Sequence, residues 1–125
     1  MGGLSAIPLH ELLWSRMAQW HLDDLRRTLE RSGWRIVAEL PGDDIRISGS
    51  WRLKRSRDPS VIMIDFEGMD GTGLRCLPMN KSYACRIRGT QHTLYFGRRS
   101  RPKSRARARW VQALASFAEA GGITP

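Results

Sequence analysis

The sequence predicts an α+β fold in two layers. An antiparallel meander sheet of five to six strands carries an N-terminal and a C-terminal helix packed on one face. Three observations lead there. Apolar residues recur at helical spacing only near the two ends of the chain. Between positions 34 and 98 the apolar period falls to two. Turn-forming clusters divide that middle stretch into short pieces whose connections are too brief for parallel crossovers. Two helices with one apolar stripe each are buried most simply on the same face of one sheet. At 125 residues and 41% hydrophobic content, the chain suits a single domain over 1–125.

The N-terminal helical segment, about 8–32, is read from Trp14, Ala18, Leu22, Leu25 and Leu29, with Leu13 and Met17 widening its apolar face. Pro8 fits a first helical turn, and Ser32-Gly33 supplies a stop. Asp23 and Asp24 suit the first turn of a second helix, so one helix or two stays open.

The sheet, about 34–98, begins with Trp34, Ile36, Ala38 and Leu40 alternating with Arg35, Val37 and Glu39, and turns at Pro41-Gly42-Asp43-Asp44. In the next strand Ile45, Ile47, Trp51 and Leu53 point one way, while Arg46, Ser48, Ser50, Arg52 and Lys54 point the other. Gly49 on the apolar side predicts a bulge or close packing under a bulky neighbour. A turn at 57–60 leads to a strand over 61–67, a loop over 68–73 and a short strand near 74–77. Strands over 83–88 and 92–97, joined through Gly89-Thr90-Gln91, complete the meander. The C-terminal helix, about 105–120, presents Trp110, Val111, Leu114, Phe117 and Ala118 and stops at Gly121-Gly122.

Ala84-Cys85-Arg86-Ile87-Arg88, then Thr93-Leu94-Tyr95-Phe96, then Trp110-Val111-Gln112-Ala113-Leu114 resemble the last strands and the Trp-bearing helix of a pleckstrin-homology domain. The resemblance covers roughly the final third and implies an alternative fold, a pleckstrin-homology-like barrel with an extra N-terminal helix. Phosphoinositide-binding members of that family carry a basic pattern on the first hairpin. Here that turn is the acidic Gly42-Asp43-Asp44, so no binding site is carried over.

The 21 Lys and Arg and 12 Asp and Glu give a formal net charge of +9, distributed unevenly. Residues 71–118 contain no acidic side chain, and the densest basic stretch runs from 98 to 109. Lys103 and Arg107 fall in line with Trp110 and Leu114, where burial of unpaired cations costs several kcal/mol. The packed helix is therefore expected to begin near 104–107, with 98–105 as a basic arm. Arg46, Arg52, Lys54, Arg86, Arg88 and Tyr95 are expected on the exposed sheet face, with Glu39, Asp65 and Glu67 as neighbours able to pair with its arginines.

A field of this kind draws in polyanions. The expected function is a small non-enzymatic protein binding RNA or DNA through phosphate contacts. The candidate residues are Arg98, Arg99, Arg101, Lys103, Arg105, Arg107, Arg46, Arg52, Arg86, Arg88 and Tyr95. An acidic protein partner is the alternative, and peripheral binding of anionic lipid ranks last.

No convergent catalytic chemistry is legible. His10-Glu11 lacks the second His of a zinc-protease helix, Trp14 standing in that place. His10, His21 and His92 are scattered and read as surface or helix-packing residues. Asp65, Glu67 and Asp70 do not complete a calcium loop, so neither a metal nor a cofactor is expected. Cys76 and Cys85 can face one another across a hairpin, but read as free thiols in a reducing, cytoplasmic setting. The longest aliphatic run, Val61-Ile62-Met63-Ile64, is far short of the roughly 20 residues of a membrane span.

Overall fold

A computed structural model describes residues 20–43, 45–55, 60–69, 72, 76–96 and 102–122. Its elements run in the order α1 (Trp20–Arg31), β1 (Trp34–Pro41), β2 (Ile47–Arg55), β3 (Val61–Glu67), β4 (Ala84–Ile87), β5 (Thr93–Tyr95) and α2 (Arg105–Gly122). A short 3-10 turn, Met79–Lys81, precedes β4. Of the expected strand near 74–77, residues 74 and 75 lie outside the described residues, and Cys76 forms an isolated bridge to Met69. Residues 8–19 of the expected N-terminal helix, residue 97 of the expected last strand and 98–101 of the expected basic arm lie outside the described residues.

The strands form one open antiparallel sheet in the order β1-β2-β3-β4-β5. With β1 and β5 at opposite edges, the pleckstrin-homology-like barrel gives way to the two-layer α+β arrangement. Helix α1 packs on β1 and α2, and α2 packs on β5, so both helices cover the same sheet face. Leu25 and Leu29 of α1, Trp34, Trp51, Leu53, Ile64, Phe66, Cys85, Ile87 and Leu94 of the sheet, and Trp110, Leu114, Phe117 and Ala118 of α2 form the core. Each large apolar side chain buried there contributes about 1.5–3 kcal/mol. Val111, read as part of the α2 stripe, is exposed, because it lies one residue past Trp110 around the helix.

Local chemistry sets the element ends. The N–H of Ser32 donates to the Thr28 and Leu29 carbonyls and that of Gly33 to Glu30, closing α1 with Gly33 at φ +91°. After β1, Asp43 Oδ1 accepts the N–H groups of Ile45, Arg46 and Ile47 at 2.9, 2.7 and 2.8 Å. These bonds hold its carboxyl below the usual range. Ser104 Oγ accepts the Arg107 N–H at 3.1 Å and caps α2.

Two bulges decide which side chains share a face. In β1 the register shifts between Ile36 and Ala38, so Glu39 falls opposite Trp51 and Leu40 opposite Ser50. Glu39 is thus on the helix-covered side, where its carboxylate accepts the Trp51 indole N–H at 3.0 Å. Ala38 and Leu40 move to the open side. This corrects the simple alternation, which placed Glu39 among the open-face arginines. In β2 the shift between Ile47 and Gly49 turns Ile47 onto the open side opposite Glu67 and takes Arg46 out of phase with Arg52. Gly49 sits at that shift, as the sequence suggests. A Cβ there would lie 3.1 Å from Met79 Sδ, the bulky neighbour.

Candidate functional site

The register assigns the open face in rows. Arg35, Lys54 and Val61 lie side by side across β1, β2 and β3. The next row holds Ala38, Arg52 and Met63, extended by Arg88, whose N–H donates to the Met63 carbonyl at 2.8 Å. Leu40, Ser50, Asp65, Arg86 and Thr93 follow, and then Ile47, Glu67, Ala84 and Tyr95.

This face has two electrostatic halves. In one, Arg88 grips Asp65 through Nη2 at 2.7 Å and Nε at 3.0 Å. The Ser50 hydroxyl donates to the same carboxylate at 2.6 Å. Burial alone would push the Asp65 carboxyl up, but bonds from Arg88 and Ser50 and the Arg88 charge outweigh it, holding it below the usual range. Arg86 Nη2 stands 3.5 Å from Glu67 and its Nε donates to the Thr93 hydroxyl at 3.2 Å.

In the other half Arg35, Arg52 and Lys54 are all exposed and have no carboxylate partner among the described residues. Arg35 and Lys54 are direct cross-strand neighbours, an arrangement of like charges that disfavours the sheet.

The helix layer holds a second basic region. Lys103, Arg105 and Arg109 are exposed at the entry to α2. Arg107 is not free. It donates from Nη1 to Asp24 Oδ2 at 2.9 Å, and the Trp110 indole donates to the same oxygen at 2.8 Å. Arg27 donates to Asp24 Oδ1 at 2.8 Å. Burial would raise the Asp24 carboxyl, but the bonds from Trp110, Arg27 and Arg107, with the Arg107 charge, hold it low.

The placement of the predicted residues is therefore mixed. Arg98, Arg99 and Arg101 lie outside the described residues. Lys103 and Arg105 are exposed on the helix layer, and Arg52, Arg86, Arg88 and Tyr95 are on the open sheet face. These two groups stand on opposite sides of the sheet. Arg46 is exposed but out of phase with Arg52. Residues 71–118 supply no carboxylate of their own, yet three of their cations are compensated from elsewhere. For Arg86 and Arg88 the sequence left such pairing open, and for Arg107 it overturns the expectation of an unpaired cation. Arg86, Arg88 and Arg107 pair with Glu67, Asp65 and Asp24 from the N-terminal part. Sequence reasoning placed Lys54 on this face but missed Arg35 as its cross-strand neighbour. The signal was their common phase with Arg52 before the β1 bulge.

Other candidate chemistry is sparse. A groove of about 500 Å³ between β5 and α2 includes His92, Tyr95, Ser116 and Phe117 in its lining, which offers neither a carboxylate nor a thiol. His21 is buried at 5% exposure, with its ring centroid 4.4 Å from that of Phe96. Burial lowers its pKa to about 4 against the weaker pull of Asp23 and Asp24. Cys76 and Cys85 are not joined in a disulfide, and burial pushes the Cys85 thiol well up. Among the described residues no group of three or more His, Cys, Asp or Glu is placed to hold a metal. No helix there is long and apolar enough to cross a membrane. No family model matches this chain, and neither a curated protein nor a solved structure matches it.

Proposed function

We propose that this protein binds a polyanion, nucleic acid foremost, through the basic half of its open sheet face. The observation that carries this reading is the cluster of Arg35, Arg52 and Lys54. Cross-strand register holds two of these cations directly opposite one another, and no carboxylate among the described residues offsets them. Phosphates supply the missing counter-charge, and guanidinium groups suit them through paired N–H donors. Arg88 adds a further donor at the border of this half. Its Nε and Nη2 are taken by Asp65, leaving Nη1 directed elsewhere. Lys103, Arg105 and Arg109 add long-range attraction from the other side of the molecule, which raises encounter rates more than it sets a binding mode.

Fluorescence anisotropy with a labelled oligonucleotide over a salt series tests the proposal. Three phosphate contacts to a single strand give a slope of about −2 in log affinity against log salt. Changing Arg35, Arg52 and Lys54 together to Ala should remove most of that slope and leave the circular dichroism spectrum unchanged. Changing Lys103, Arg105 and Arg109 together should reduce affinity at low salt far less. Absence of binding to any oligonucleotide at low salt overturns the proposal. Retention of an acidic protein alone by the same surface moves the reading to a protein partner.

A further inference from the structure

We infer that the nucleic acid taken by this face is single-stranded, with its phosphates on the Arg35–Lys54–Arg52 corner and its bases laid over Met63 toward Tyr95. This rests on the polyanion reading above and specifies the ligand of that same surface.

The division of the face separates the two parts of such a ligand. Arg35, Arg52 and Lys54 stand where no described carboxylate competes. Asp65 and Glu67 occupy the rows beyond them. Paired with Arg88 and Arg86, these carboxylates leave the second half near charge balance, so it draws phosphate less than the uncompensated corner does. Carboxylates held in place by Arg88 and Arg86 suit the exocyclic amino groups of bases, which donate hydrogen bonds. Between the cations lie apolar side chains suited to a flat partner. Met63 sits in the row between Arg52 and Arg88, and Val61 beside Lys54 is 47% exposed. At the far corner Tyr95 is 71% exposed and shares the face with Arg86 and Thr93. An aromatic ring held in the open by a sheet is a stacking platform for an unpaired base.

The span is consistent with this path. From Arg52 on β2 to Tyr95 on β5 the face crosses three strand spacings and two steps along the strands, about 20 Å on the diagonal. That accommodates a short run of extended nucleotides. A duplex uses this surface poorly. Its bases are stacked inside, and the major groove, about 12 Å wide, admits a helix or a two-stranded ribbon but not a five-stranded sheet. Against a duplex, Met63, Val61 and Tyr95 have no partner.

The test compares three probes on the full chain at one salt concentration. They are a labelled single-stranded oligonucleotide of about 12 nucleotides, a hairpin duplex of the same total charge, and linear polyphosphate, which carries the charge without bases. The single strand should bind more tightly than the hairpin. Tyr95→Ala should weaken single-strand binding about five- to a hundredfold, the loss of one stacked base, and Tyr95→Phe should restore it. Polyphosphate affinity should be the same for wild type and Tyr95→Ala. Because Tyr95 is so exposed, its truncation leaves the core untouched, and an unchanged circular dichroism spectrum checks this. Equal or tighter binding of the hairpin, or indifference of the single strand to Tyr95→Ala, overturns this inference while polyphosphate binding leaves the polyanion reading standing. Failure of all three probes to bind at low salt overturns both.

Discussion

Replacing Asp24 by Ala removes the side chain that ties the two helices together. Asp24 is 11% exposed in its side chain and accepts from Arg107 at 2.9 Å on the same oxygen that takes the Trp110 indole at 2.8 Å. Without it, the part-buried indole N–H loses its acceptor, a cost of about 1–3 kcal/mol. Arg107 is 37% exposed in its side chain, so water screens its loss, which adds only about 0.5–1 kcal/mol. The sum is about 1.5–4 kcal/mol, a large part of the stability of a small domain. Urea unfolding at neutral pH, followed by far-ultraviolet circular dichroism, should show a lower midpoint at unchanged slope. Asp24→Asn, which keeps an acceptor but not the charge, should lose about 1 kcal/mol. In a Trp110→Phe background, where the donor is already gone, Asp24→Ala should cost less by about 1 kcal/mol or more. A loss below about 0.5 kcal/mol, or strict additivity of the two changes, would refute the role assigned to this carboxylate. The pH dependence has a defined sign. The Asp24 carboxyl titrates lower in the folded protein than in the unfolded chain, so its contribution is complete above the ordinary carboxylate range. It is lost as pH falls through the depressed folded value.

His21 acts at higher pH. Its pKa falls from 6.5 to about 4 on folding, so the unfolded chain binds more protons between those values and stability should decline as pH drops through that window. His21→Phe should flatten this part of a pH series of urea midpoints, and an undiminished slope would exclude His21 as its source. Gly33→Ala places a side chain at φ +91° with open space around it, which should cost about 1 kcal/mol in thermal unfolding without altering the fold. A Cβ at Gly42 would collide with the Ile47 carbonyl, so Gly42→Ala should be far more damaging than Gly33→Ala, with loss of cooperative unfolding or of soluble yield as the readout. Glu39→Ala leaves the Trp51 indole N–H unpaired and should cost about 1–2 kcal/mol by urea unfolding, whereas a solvated Glu39 would cost almost nothing.

The helix stripes and the alternation of β2 beyond Gly49 were legible because each follows one period over several residues. Leu25 and Leu29, Trp51 and Leu53, and Trp110, Leu114 and Phe117 are all in the core as their spacing indicates. What the periods do not encode is a shift of register. The bulge after Ile36 moved Glu39 beneath Trp51, and the one before Gly49 moved Ile47 to the open side and Arg46 out of line. Gly49 marked the second, but no residue type marked the first. Nor does local sequence reveal which carboxylate meets which cation across the fold. The start of α2 lies within the expected 104–107, but Arg107 was expected to lack a partner. Asp24, far away in the chain, meets it instead, and the helix begins at Arg105. The same long-range pairing reached Arg86 and Arg88, so the dense C-terminal charge was a poor guide to which cations stay uncompensated. Arg35 and Lys54 came together only through strand register, and they became the centre of the candidate site.

A titration of the isotopically labelled protein with a single-stranded oligonucleotide, followed by amide chemical shifts, tests the central claim most directly. The account predicts that the largest saturable shifts fall on Arg35, Arg52, Lys54, Met63 and Tyr95, across the open sheet face, and fade as salt rises. Shifts concentrated instead at Lys103, Arg105 and Arg109, with the sheet face silent, would contradict it.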